Sequence, residues 1–182
     1  MNKLKEMEKI AKEIENCEIC KTESSGKAVV GEGSLDAEVI FIGEAPGKNE
    51  AIEGRPFIGR SGKLLRNLIT SIGLLEKDVY ITSPVKYLPD RGTPTSSQIA
   101  HGRTHLMRQF EIIKPKFVVL LGRVAAEGVL QKKVFVIREH GQIISSENGI
   151  NYYLTLHPAA AIRFAKNMPL FKSDFQKLKS LI

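Results

Sequence analysis

No run of eighteen apolar residues occurs anywhere in the chain, so no segment reads as a membrane span. Cysteine is scarce: Cys17 and Cys20 are the only two, both near the N-terminus. That excludes a secreted disulfide framework. The opening Met1-Asn-Lys-Leu-Lys-Glu is charged and amphipathic, unlike a secretory signal, and the expected address is the cytoplasm. Internal repeats, low-complexity tracts and Pro/Ser-rich linkers are also missing. The 182 residues therefore suit one domain, 1–182, with a core large enough to fold unaided.

Charge is present but unevenly shared. Residues 1–57 hold 8 Lys/Arg against 12 Asp/Glu, whereas residues 58–182 hold 19 against 8. A basic surface on the larger part fits a polyanion, with nucleic acid first. A merely soluble basic protein is the plain alternative, and charge alone does not separate the two.

The chain is organised around Gly43-Glu-Ala-Pro-Gly47 and Gly54-Arg-Pro-Phe-Ile-Gly-Arg-Ser-Gly62. Before this stretch, Glu38–Ile42 is the apolar β-branched kind of run that fills a buried parallel strand. After it, Leu64, Leu65, Leu68, Ile69 and Ile72 recur at helical spacing, predicting a helix over about 60–73. A loop between a strand end and a helix start lies where open α/β sheets bind ligands. The helix's first turn could offer free N–H groups to a phosphate. No Gly-Lys-Ser/Thr closes the loop, so it is not a Walker loop.

Elsewhere, Leu4, Met7, Ile10, Ala11 and Ile14 share one face of a first helix, followed by Cys17-Glu-Ile-Cys20. A redox C-x-x-C would follow a strand instead, so a metal or cluster pair fits this spacing better. Ala28–Val30 predicts a short edge strand and Val79–Thr82 a core strand. Pro84 to Pro94 predicts a long functional loop. Thr95 caps a helix running to about Ile113, Phe117–Leu121 is a buried strand, and Gly122 opens a helix ending near Gln131. Val134–Ile137, Gln142–Ser145 and Tyr152–Leu156 are further strands, and His157-Pro158 starts another loop. Strands alternating with helices give a three-layer α/β/α fold.

These pieces resemble the iron–sulfur (family 4) uracil-DNA glycosylases. The first family motif is matched from Gly43 through Glu50, Phe57 and Gly62 to Leu65, and the second by His157-Pro-Ala-Ala-Ala-Ile-Arg163. The resemblance runs from about Cys17 to the C-terminus. It implies a central four-stranded, mostly parallel sheet and a pocket that receives a base flipped out of DNA, single- or double-stranded. By that resemblance Phe57 stacks on the base, and Gly43, Ala45, Pro46, Gly47 and Ser83 line the base pocket. Glu44 and Glu50 shape the pocket and place the water, and His157 donates to the departing base. The implied chemistry needs no cofactor, and the expected protein is a monomer that binds DNA and no membrane. Arg55, Arg60, Lys86, Arg91 and Arg163 accompany the site loops and are the expected phosphate contacts.

The chain departs from the family at two places. The family holds a four-iron, four-sulfur cluster on four cysteines; Cys17 and Cys20 match two, but Tyr87 and Gly102 stand at the others. The intact cluster is therefore not expected. His101 and His105, four apart on one helix face, could complete a zinc site with Cys17 and Cys20. Alternatively, both histidines face solvent or DNA and the thiols are free. The family also reads uracil with an Asn where this chain has Ser83, and a hydroxyl cannot copy the amide's paired donor and acceptor. The expected function is hydrolysis of the N-glycosidic bond of uracil or another damaged base. The rival is a non-catalytic relative that binds DNA or a nucleotide.

Overall fold

The computed structural model describes residues 2–182. The N-terminal half contains α1 (Lys3–Glu15), α2 (Glu18–Lys21), β1 (Ser24–Ser25), β2 (Glu32–Gly33), β3 (Val39–Ile42), α3 (Lys48–Glu53) and α4 (Arg60–Ser71). There follow β4 (Tyr80–Thr82), β5 (Leu88–Pro89), α5 (Ser96–Ile113), β6 (Phe117–Leu121), α6 (Arg123–Leu130) and α7 (Val136–Glu139). The chain closes with β7 (Gln142–Glu147), β8 (Ile150–Thr155), α8 (Pro158–Arg163) and α9 (Asn167–Lys179).

The main sheet has the order β2-β4-β3-β6-β8-β7. Its four inner strands are parallel, with Ile40 opposite both Tyr80 and Val118, and Val119 opposite Tyr153. The expected four-stranded parallel sheet is present, and β2 and β7 extend it as antiparallel edges to six strands. Successive side chains on a strand point to opposite faces, so each apolar run feeds two cores. Ile40, Ile42, Val118, Leu120 and Leu154 pack toward Met7, Ile10, Ile14, Leu106, Phe110 and Ala126 of α1, α5 and α6. Phe41, Val119, Leu121 and Tyr153 pack on the other face against Leu65, Ile69, Phe171 and Phe175 of α4 and α9. There Phe41 stacks on Phe175 with ring centroids 6.0 Å apart. Helices on both faces make the three layers.

Caps expected from the sequence form as side-chain bonds. Thr95 accepts from Gln98 N at 3.2 Å while the Gln98 side chain accepts from Thr95 N at 2.9 Å, a closed capping box. Two strand expectations are corrected. Val134–Ile137 is not a strand: Val134 is buried and Val136–Glu139 is a helical turn. The Glu139 carboxylate accepts from Phe135 N, a local bond that stabilises a turn and that no short apolar run advertises. Ala28–Val30 is not in the sheet either. Val29 N donates to Lys86 O at 2.7 Å, and the Val30 carbonyl accepts from the side chains of Thr82, Lys86 and Gln109. The edge pairing starts instead at Glu32.

A two-stranded sheet, β1 with β5, ties the Pro84–Pro94 loop to the N-terminal segment and brings Leu88 to the strand ends. Among the described residues, no helix is long and apolar enough to cross a membrane.

Candidate active site and a Cys/His group

A cleft of about 550 Å³ opens beyond the carboxyl ends of β3, β4 and β8. Its wall includes Glu44, Ala45, Pro46, Gly47, Glu50, Phe57, Ser83, His157 and Arg163, which the topology brings together from the loops after β3, β4 and β8 and from α3, α8 and the turn before α4. Gly43, expected to line the base pocket, does not border the cleft itself; it lies against the Phe57 ring, where a Cβ would fall 2.5 Å from Phe57 Cζ.

Phe57 adopts a left-handed backbone, φ 51°, which a bulky residue holds only when its surroundings enforce it. Here they do. Arg66 Nε donates to Phe57 O at 3.0 Å and Arg66 Nη2 to Pro56 O at 2.9 Å. Gly62 lies directly behind, where a Cβ would fall 2.0 Å from the Phe57 carbonyl carbon. Arg66 was not among the expected site residues. It sits on an amphipathic helix where Arg is unremarkable, and only the fold aims it at the loop.

Glu50 is buried, and its Oε1 accepts from Ile58 N and Gly59 N, both at 2.9 Å. The carboxylate thus ties down the two backbone N–H groups that lead into α4, which begins at Arg60. It sets the shape of the Phe57 loop. Glu44 is half-buried in the cleft, and burial pushes its carboxyl above the usual range, against the opposing pull of Arg123.

His157 caps α8. Its Nδ1 accepts from Ala159 N at 3.2 Å, which assigns the proton of the neutral ring to Nε2. Burial holds its pKa down to about 4, so the ring is neutral at pH 7 and Nε2–H is a donor. The imidazole faces Phe57 with centroids 6.2 Å apart and planes tilted by 37°. Gly122, φ 87°, makes room behind it, since a Cβ there would come within 3.0 Å of His157 Cβ.

Ser83 is 5% exposed, and its hydroxyl donates to Val85 O at 2.7 Å. Its hydrogen is therefore engaged within the Ser-Pro turn, and the side chain offers the cleft only lone pairs.

The basic residues divide. Arg60 and Arg163 are exposed along a shelf that continues from the cleft past Lys48 and Asn49, and neither has an acidic partner among the described residues. Arg55 forms a two-point pair with Glu32 at 2.7 and 2.8 Å, and Arg91 approaches Glu23 at 3.5 Å. Lys86 must be corrected as a phosphate contact. It is 2% exposed, and its Nζ donates to Val30 O, Thr82 Oγ1 and Gln109 Oε1 at 3.1, 2.7 and 2.8 Å. Burial pulls its pKa down to about 7, while three acceptors match the three N–H of the ammonium.

Apart from the cleft, Cys17, Cys20, His101 and His105 present four donor atoms, all within 4.8 Å of one another. The thiols form no disulfide. Sulfur and imidazole donors at this separation have the chemistry and spacing that soft and borderline metal ions take.

The sequence matches the family described as "Uracil DNA glycosylase superfamily" over residues 30–179. The chain belongs to that superfamily. It is 38% identical to a type-4 uracil-DNA glycosylase of Saccharolobus solfataricus across 95% of this chain and 85% of the relative. A type-4 enzyme of Thermotoga maritima is 36% identical across 97% and 94%, and one of Archaeoglobus fulgidus 34% identical across 98% and 94%. The match spans both the Gly43–Gly62 loop and His157, so superfamily membership and the cleft concern the same residues.

Proposed function

We propose that the chain is a DNA glycosylase that hydrolyses the N-glycosidic bond of uracil, or of another deaminated base, extruded from DNA. The observation that carries this reading is the pairing of a strained, braced Phe57 with a neutral His157 whose Nε2–H is free to donate into the same cleft. An extruded base stacks on the Phe57 ring. As the bond from the sugar C1′ to the base nitrogen breaks, its electron pair moves onto the base and charge gathers on a carbonyl oxygen. A neutral N–H donor aimed there stabilises that charge in the transition state more than in the ground state.

Water supplies the hydroxyl that ends on C1′. Glu44, half-buried in the cleft and made a stronger base by that burial, is suited to orient that water and take its proton. The base leaves as an anion and is protonated afterwards, which balances the hydrolysis. Glu50 acts one step back, holding the Phe57 loop through two backbone N–H groups. Ser83 can accept from a ring N–H such as uracil N3–H but cannot also donate to O4, so recognition rests on one bond at this edge.

Arg60 and Arg163 flank the approach and hold phosphates without reading sequence. The Cys/His group contributes no residue to the cleft, and we assign the metal it would hold, zinc, to the fold and not to bond cleavage.

The test is release of abasic sites from oligonucleotides carrying uracil, hypoxanthine, xanthine or mismatched thymine. Excision of uracil or another deaminated base, abolished in His157→Ala, is the expected result. Binding without release from any of them would make the chain a nucleic-acid-binding relative instead.

A further inference from the structure

The resemblance implies a four-iron, four-sulfur cluster, and the residues present do not fit one. Of the two positions that lack a cysteine, Tyr87 is 4% exposed and donates through its hydroxyl to Ile14 O at 3.2 Å, fastening the end of α1. Gly102 faces the Pro84 turn so closely that a Cβ would lie 2.1 Å from Pro84 O. Neither is simply a ligand position waiting for sulfur. One has become a structural tether, and the other has been closed by packing of α5 onto the loop after β4. A cube of four irons also keeps its thiolates farther apart than the four donors lie here.

What the fold assembles instead is a compact Cys₂His₂ set. Cys17 ends the turn after α1 and Cys20 lies one turn along α2, the C-x₂-C spacing of structural zinc sites. His101 and His105 are one turn apart on α5, the matching H-x₃-H. The rings meet edge to face, 5.4 Å between centroids. Cys17 Sγ is 3.1 Å from His101 Nε2. Bond lengths of about 2.3 Å to sulfur and 2.0–2.1 Å to nitrogen put tetrahedral donors roughly 3.3–3.8 Å apart, and the four donors here all lie within 4.8 Å of one another.

His105 supplies an independent pointer. It is 8% exposed, and neither ring nitrogen has a hydrogen-bond partner among the described residues. Native interiors almost never orphan both nitrogens of an imidazole, because the desolvation is not repaid. A metal ion bonded to one nitrogen repays it. A two-iron, two-sulfur centre also takes two Cys and two His, but it puts the sulfurs on one iron and the imidazoles on the other. Here all four donors lie within 4.8 Å of one another, and Cys17 Sγ is 3.1 Å from His101 Nε2, so sulfur and imidazole are close enough to share a single ion.

We infer that Cys17, Cys20, His101 and His105 bind one Zn²⁺ in a closed tetrahedral site that fastens α2 to α5, in place of the iron–sulfur cluster. Zn²⁺ displaces one proton from each thiol, and the two thiolates and two neutral imidazoles leave no open position for substrate. The ion is a structural clamp across 84 residues of sequence.

The test is metal and sulfide analysis of the full-length protein purified without air from medium supplying both iron and zinc. About one zinc per chain and no inorganic sulfide is expected. Exchange into Co²⁺ should then give the visible ligand-field bands of a tetrahedral site and thiolate-to-cobalt charge transfer in the near ultraviolet, both erased by added Zn²⁺. His105→Ala and Cys20→Ser should each lose the bound zinc and lower Tm. Should either variant fail to fold, the cobalt spectrum of the unaltered chain still decides. Iron with stoichiometric sulfide, or a reduced protein that takes up neither zinc nor cobalt, would overturn the inference.

Discussion

Replacing Gly43 by Ala puts a methyl group where the Phe57 ring now rests. The added carbon would lie 2.5 Å from Cζ and 2.6 Å from Cε2 of that ring, so the ring must retreat by about an ångström to reach ordinary contact. Phe57 cannot retreat by moving its backbone. Arg66 grips the carbonyls of residues 56 and 57, and Gly62 presses against the same peptide. The ring must therefore rotate, tilting the surface on which the base is proposed to stack. A misplacement of that size at a positioning group costs about a hundredfold in rate. Gly43 has no left-handed φ, so Ala adds no backbone strain, and the stability cost is that of overpacking, about 1–3 kcal/mol. For a chain of this size that is a fall in Tm of roughly 2–4 °C per kcal/mol. The assay is single-turnover excision from single-stranded uracil DNA by wild type, Gly43→Ala, Phe57→Ala and the double variant. If the ring transmits the effect, Gly43→Ala should cost about a hundredfold alone and little in the Phe57→Ala background. An equal loss in both backgrounds would refute the reasoning and place the methyl group against the substrate itself.

Ser83→Asn should restore a donor to O4 beside the acceptor for N3–H. A gain of roughly 1–3 kcal/mol, less about 1 kcal/mol for the lost bond to Val85 O, predicts uracil excision about tenfold faster, read by the same assay. His157 carries a pH signature. Its folded pKa, about 4, lies below the ordinary 6.5, so between these values the unfolded chain binds the extra proton. Stability from this residue is lost as pH falls from 6.5 toward 4, and thermal melts of His157→Ala should lack that component of the decline. Arg163→Ala should lower the log–log salt slope of DNA binding by about one, whereas Lys86→Met should leave the slope alone and lower Tm. A reduced slope in Lys86→Met that retains its fold would contradict the buried placement.

The layered fold was legible in the sequence because its signals are local. Glu38–Ile42 and Phe117–Leu121 are apolar runs of strand length, bounded by the glycines and prolines that end them, and Thr95 with Gln98 spells out its own cap. The loop residues of the cleft were legible for a similar reason, since glycines that must admit a ring or a carbonyl stand together in one short stretch. Tertiary structure alone settled the fate of individual polar groups. Lys86 and Arg163 look alike in sequence, yet Lys86 reaches three acceptors from three different segments, while Arg163 ends a helix at the surface. The i, i+4 spacing put His101 and His105 on one face, but nothing local told that α2 would meet that face with Cys17 and Cys20. Nor could the sequence tell that Pro84 would close the space beside Gly102. Spacing along a chain fixes which side chains share a face. Which faces meet is decided when the sheet orders its strands and buries both sides, and only then does each buried donor or acceptor find its partner.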